Sequence, residues 1–282
     1  MSVLTTRIST LAVALVGVAA LFSAPSVSAD TVATSPPPPG SNDWSCKTTT
    51  AHPFPVVLVE GTFESRFKNW ATMSPYLKDK GYCVFALDYG TTNGVQATGP
   101  IAKSAHQLAT FVDRVLAATH ASQADLVGHS QGGMMPRYYM RFLGGAAKVN
   151  SLIGIAPSNH GTTVALTPPA SSASLASPCQ ACSDQSAGSP FLTKLNAGHD
   201  TERGPYYTVI STTHDEVVMP YTSQALAGPS GRVTNIVIQD LCPADPIEHD
   251  QTPNDPVVQQ LVSAALKRNN APANPAYRPS CT

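Results

Sequence analysis

Apolar residues in this chain fall in short unbroken runs, separated by stretches with helical spacing. Pro55-Val56-Val57-Leu58-Val59, Tyr82 to Leu87, Ala124 to Val127 and Val149 to Ala156 are such runs. Tyr206 to Ile210 and Val233 to Ile238 are two more. Runs this short with no polar alternation suit strands buried on both faces. Between them, Asn69 to Lys80 places Trp70, Met73 and Leu77 on one face and stops at Gly81. Gly99-Pro100 opens a long helix to about His120, with proline at the favoured first position. Gly133 to Leu143 carries Met134, Met135, Tyr138, Tyr139 and Phe142 at helical spacing, and Pro256 to Lys267 carries Val257, Val258, Leu261, Val262 and Leu266. Strands alternating with helices predict an α/β fold, a mostly parallel central sheet with helices on both faces. Chemistry in such a sheet sits at the carboxyl ends of the strands.

The pattern breaks at three places. Residues 157–205 are rich in Ser, Thr, Pro and Gly and predict an inserted cap, or lid, over the domain. At the N-terminus, Arg7 precedes an apolar run from Leu11 to Phe22, and Val27-Ser28-Ala29 offers small residues before Asp30. This is the layout of a signal peptide over residues 1–29, and it predicts a secreted, extracellular protein. The apolar run is short for a membrane span of about 20 residues. Residues 30–43 include Pro36 to Pro39 and predict an extended, mobile linker. Order is expected from about Trp44, with residues 44–282 forming one domain.

Composition narrows the function classes. Of 282 residues, 42% are hydrophobic and 12% charged, and the net charge is −1. There is no basic run, so nucleic-acid binding lacks electrostatic support. No glycine-rich phosphate loop is present. Cys46, Cys83, Cys179, Cys182, Cys242 and Cys281 all follow the signal segment. An even count in an exported chain implies disulfides and leaves their pairing open. Cys179 and Cys182 form a C-x-x-C with no second half of a zinc site nearby, so a disulfide stapling a loop is expected there rather than a metal.

Gly128-His129-Ser130-Gln131-Gly132 reads G-x-S-x-G, preceded by an apolar strand and followed by a helix. Strand, tight turn and helix are the context of a nucleophile elbow, in which a strained turn lifts the serine oxygen above the sheet. A serine hydroxyl needs a base, and on this arrangement the acid and then the histidine follow it in the chain. His249 lies between the last strand and the last helix and is the only histidine after residue 214. Asp215 follows the strand before the last one and is the candidate acid. Glu216 is its possible substitute, and Asp200 and Asp240 are less well placed. Two backbone N–H groups should hold the oxyanion: that of Gln131, after the nucleophile, and that of Thr62, in the turn Glu60-Gly61-Thr62-Phe63.

Four pieces of the chain carry a resemblance. They are Val57 to Thr62, Gly128 to Gly133, Ala156 to Thr162 and His214 to Val218. Together they resemble the secreted actinobacterial class 2 triacylglycerol lipases, from about Trp44 to Cys281. The Gly-Thr and Ser-Gln-Gly-Gly pieces also resemble Candida antarctica lipase B. The resemblance implies an α/β-hydrolase fold and a carboxylic ester hydrolase acting on acyl ester or lipid substrates without a cofactor. It implies a monomer in transient contact with a lipid interface. It assigns Ser130, Asp215 and His249 as a triad, Thr62 and Gln131 as the oxyanion hole, and Cys46–Cys83, Cys179–Cys182 and Cys242–Cys281 as disulfides. One departure is Glu60, where many lipases have histidine; a carboxylate there is a candidate for tuning the oxyanion loop. The rival readings are a short-chain esterase, a polyester depolymerase, a peptidase or thioesterase, and an exported binding protein that kept the fold. His160 is expected to be structural rather than a metal ligand, and His129 to pack beside the sheet. Met134 and Met135 fit either helix-core packing or contact with an acyl chain.

Overall fold

The computed structural model describes residues 1–4, 34–166 and 178–281. Apart from residues 1–4, the predicted signal peptide lies outside the described residues, as do residues 167–177 of the predicted cap. Six strands form one sheet in the order β2-β1-β3-β4-β5-β6. They are β1 (Val56–Val59), β2 (Val84–Leu87), β3 (Ala124–His129), β4 (Val149–Ile155), β5 (Tyr206–Ser211) and β6 (Val233–Val237). Every adjacent pair is parallel. Every residue of β1 to β4 is buried, as the apolar runs require.

The helices are α1 (Arg66–Asn69), α2 (Met73–Asp79), α3 (Ile101–Thr119), α4 (Gln131–Phe142), α5 (Gln180–Asp184), α6 (Pro190–Leu195), α7 (Ile238–Leu241) and α8 (Pro256–Leu266). Two apolar clusters result. One joins Val57, Val59 and Phe85 to Leu108, Val112, Met134 and Met135 of α3 and α4. The other joins Val56 and Leu58 to Met73, Leu77, Val258, Leu261 and Val262 of α2 and α8. Met134 and Met135 are therefore core residues.

Three local differences from the sequence pattern have physical reasons. The helix expected over Asn69–Lys80 is two helices, because Trp70 leaves helical geometry at φ −115°, ψ 20°. That break sinks Trp70 into the core and leaves Asn69 buried at the end of α1. The last strand stops at Val237, and Ile238 opens α7. The stretch expected as a mobile linker lies along β2 from its later part onward. The Asn42 side chain exchanges two hydrogen bonds with Ala86, at 2.7 and 2.9 Å, and Asn42 N–H donates to Val84 O at 2.9 Å. β2 is an edge strand with unpaired backbone groups, and Asn42 satisfies them where the prolines could not. Ser35 also donates to the Asp88 carboxylate through both N–H and Oγ.

The disulfides are Cys46–Cys83, Cys179–Cys182 and Cys242–Cys281. The first and third close separations of 37 and 39 residues, each contributing about 3–4 kcal/mol by restricting the unfolded chain.

Asp125 on β3 is a buried carboxylate that accepts from Asn150 Nδ2 at 2.7 Å. Burial pushes its pKa up from 3.8 to about 7. The folded state therefore holds the proton longer than the unfolded state does. The stability this contributes is complete below 3.8 and lost as pH rises to about 7. Asp125→Asn is expected to exceed the parent's stability at about pH 8 by on the order of 3 kcal/mol, with no gain at about pH 3. Denaturant unfolding at both pH values measures it.

Candidate active site

β3 lies inside the sheet, between β1 and β4, and Ser130 follows it immediately. Ser130 takes φ 53°, ψ −120°, a strained conformation for a residue with a Cβ. Its N–H donates to Ile155 O at 2.9 Å, and its carbonyl accepts from Gly133 N–H at 3.0 Å. The flanking glycines are obligatory. A Cβ on Gly128 would collide with the Gly132 carbonyl, and a Cβ on Gly132 with the Val59 carbonyl. The motif thus packs the turn directly against the end of β1.

His249 sits on the loop between α7 and α8 and is buried. Its Nδ1–H donates to Asp215 Oδ2 at 2.7 Å. Asp215, in the turn after β5, is buried as well. Its other bonds come from Val217 N–H (2.9 Å), Val218 N–H (2.7 Å) and Gln224 Nε2 (2.7 Å). These donors compensate a buried negative charge. Glu216 is exposed. Asp200 belongs elsewhere, with His160 Nε2 at 3.2 Å and Arg137 at 3.8 Å.

Ser130 and His249 line one cavity of about 220 Å³, with Gly61, Thr62, Phe63, Glu64, His129, Val164, Ala165, Leu166, Glu216, Val217 and Asp250. Thr62 follows β1, and Gln131 is the first residue of α4, where an amide N–H has no intrahelical acceptor. The side chains of the two residues meet, Thr62 Oγ1 donating to Gln131 Oε1 at 3.3 Å.

Gln185 joins them from the 157–205 stretch. Its Nε2 donates to Thr62 Oγ1 at 2.8 Å and to Gln131 Oε1 at 3.2 Å, and its Oε1 accepts from Ser158 at 2.8 Å. Gln185 follows α5, and α6 comes after it, so the described part of the 157–205 stretch, expected as a cap, includes two short helices. Gln185 carried no mark in the sequence, because it stands in a stretch with no apolar period. Gln224 was equally silent.

Glu60 is fully buried. Its Oε1 accepts from Tyr89 N–H at 3.1 Å, and its backbone carbonyl accepts from the Tyr89 hydroxyl at 2.6 Å. Burial raises its pKa well above the usual carboxylate value. Glu60 thus braces the chain just before Gly61. Gln131 Nε2 donates to the same Tyr89 hydroxyl at 3.1 Å.

His160 Nδ1 donates to Ser223 O at 2.9 Å, and its bond to Asp200 raises its pKa. It pins two loops together. No group of three metal-binding side chains occurs among the described residues.

A parallel sheet with a serine on a strained turn after β3, followed in the chain by a hydrogen-bonded acid and histidine, defines an α/β-hydrolase. The crystal structure of Aspergillus fumigatus lipase B shares this fold, with a TM-score of 0.70 at 20% identity, covering 85% of this chain and 57% of that one. The chain belongs to the class 2 lipase family, whose model matches residues 53–262. Triacylglycerol lipases of Pseudarthrobacter phenanthrenivorans and Burkholderia plantarii are each 36% identical over 91 residues. Those residues are 30% of this chain, and 27% and 24% of the respective relatives. The chain thus spans about a quarter of the length of these curated relatives.

Proposed function

We propose that this chain is a carboxylic ester hydrolase that works through an acyl-enzyme on Ser130. The observation that carries the reading is the Nδ1–Asp215 bond of 2.7 Å on a histidine that shares its cavity with the elbow serine. That bond fixes the His249 tautomer and leaves Nε2 free to act as base. His249 takes the Ser130 proton as Oγ attacks the ester carbonyl. The backbone N–H groups of Thr62 and Gln131 receive the oxyanion. His249 then protonates the leaving alcohol, and water repeats the sequence on the acyl-enzyme. Asp215 stabilises the imidazolium throughout.

The substrate class is the esters of acylglycerols, the class acted on by the triacylglycerol lipases to which the chain is similar. The cavity favours the shorter acyl groups among them. Its volume of about 220 Å³ is below the roughly 300–1,000 Å³ of pockets for drug-sized ligands. The protein is read as exported. Three disulfides fit an oxidising compartment, and the leader pattern of residues 1–29 supplies the route.

Two measurements test this. A fluorophosphonate is expected to label Ser130 stoichiometrically, and an unlabelled Ser130 would remove the reading. Across p-nitrophenyl esters of rising acyl length, kcat/KM is expected to peak at short to medium chains. A profile that keeps rising to long chains would count against the cavity argument.

A further inference from the structure

We propose that Asn69 and His129 are positioning residues that tie the His249 backbone to the oxyanion turn through one continuous run of hydrogen bonds. The proposal rests on reading Ser130, His249 and the 61–62 turn as the active site. Gly61 N–H donates to Asn69 Oδ1 at 2.8 Å. Asn69 Nδ2 meets His129 Nδ1 at 3.1 Å. His129 Nε2 meets the His249 carbonyl oxygen at 3.1 Å.

The bond directions follow from the His249 carbonyl. A backbone carbonyl only accepts, so His129 carries its proton on Nε2. Nδ1 must then accept, and the Asn69 amide nitrogen is the donor in front of it. The Asn69 oxygen is already taken by Gly61 N–H, which fixes the amide orientation. The Asn69 oxygen also lies 3.3 Å from His129 Nδ1, and the amide nitrogen is the nearer group at 3.1 Å. Burial, and next the neighbouring His249, hold the His129 pKa well below the usual histidine value. The ring thus remains neutral beside its neighbour, at 4.9 Å between centroids.

The relay supplies something His249 needs. The base lies on the loop between α7 and α8 and has no strand or helix of its own. Thr252 Oγ1 also donates to the His249 carbonyl at 2.7 Å, but from within the same loop. His129 is the tie from the elbow side. It joins the base to the residue preceding the nucleophile and, through Asn69, to the turn that offers Thr62. Base, nucleophile and oxyanion donor are thereby set in one frame. A displacement of about 1 Å between such groups costs on the order of 100-fold in rate.

The test compares His129→Phe, Asn69→Leu and the double variant with the parent, on the short acyl ester. Rates are taken per site titrated with fluorophosphonate, so that unfolded protein does not count. Each single variant is expected to lose about 10- to 100-fold in kcat, with KM within about twofold. The double variant is expected to be no slower than the slower single variant, because both break one run. His129→Gln keeps a donor toward the His249 carbonyl and is expected to retain most of the parent kcat.

Singles within about twofold of the parent kcat would overturn the relay. So would a double variant whose losses multiply, or a glutamine variant as slow as the phenylalanine one. A parent that is not labelled at Ser130 would instead sink the active-site reading itself.

Discussion

Ser130→Ala is expected to lower ester hydrolysis by a factor on the order of 10⁶, leaving the fold intact. The loss is this large because, among the described residues, no other oxygen in the cavity is both nucleophilic and placed at the elbow. Thr62 Oγ1 is occupied, donating to Gln131 and accepting from Gln185. The three bonds that hold the elbow in place are made by the Ser130 backbone, to Ile155, Gly133 and Ser158. Alanine keeps all three and inherits the same positive φ. Stability is therefore expected to stay within about 0.5 kcal/mol of the parent. Initial rates on a chromogenic ester, with a thermal unfolding curve, check both halves. A variant within about tenfold of the parent rate would mean the acyl group is carried elsewhere.

Asp215→Asn is expected to cost about 10⁴-fold in kcat. An asparagine oxygen in the Oδ1 position still accepts from Val217 and Val218. Its amide nitrogen, however, then faces both His249 Nδ1 and Gln224 Nε2, where Asp215 Oδ2 accepts two bonds of 2.7 Å. The imidazole must present Nδ1 as an acceptor, which moves its proton to Nε2 and removes the base. Glu216→Gln is the control. Glu216 is exposed at the cavity mouth, and its loss is expected to change kcat by less than about threefold. Equal losses at the two positions would deny Asp215 its special role.

These expectations stand on residues whose type and order were visible in the chain. The strands were legible because a strand buried on both faces has to be apolar at every position, as Val56 to Val59 are. Ser130 was legible because the turn that lifts it leaves no space for a side chain at Gly128 or Gly132. His249 and Asp215 were legible from their order after the serine. Asn69 was not, since it falls inside what reads as one helix and becomes available only where Trp70 breaks it. Gln185 and Gln224 act through side-chain amides at the ends of very short helical segments, which leaves no period to detect. Asn42 was hidden for a related reason. Four neighbouring prolines announce an extended segment, but they do not say that it will run beside an open strand edge. Glu60 was noticed as a departure from the usual histidine. Its raised pKa follows from complete burial, which composition does not reveal.

The Gln185 amide has a consequence for how the proposed hydrolase can be diversified. Loops that shape substrate choice are ordinarily free to vary because they touch only the substrate. Here one side chain of the 157–205 stretch also clasps Thr62 and Gln131, so on the proposed mechanism exchanging that segment between relatives exchanges part of the rate machinery with it. A library that randomises the cap while holding position 185 as glutamine should return more active clones than one that randomises every position. The site carries a hidden register mark, and specificity is free to drift only around it.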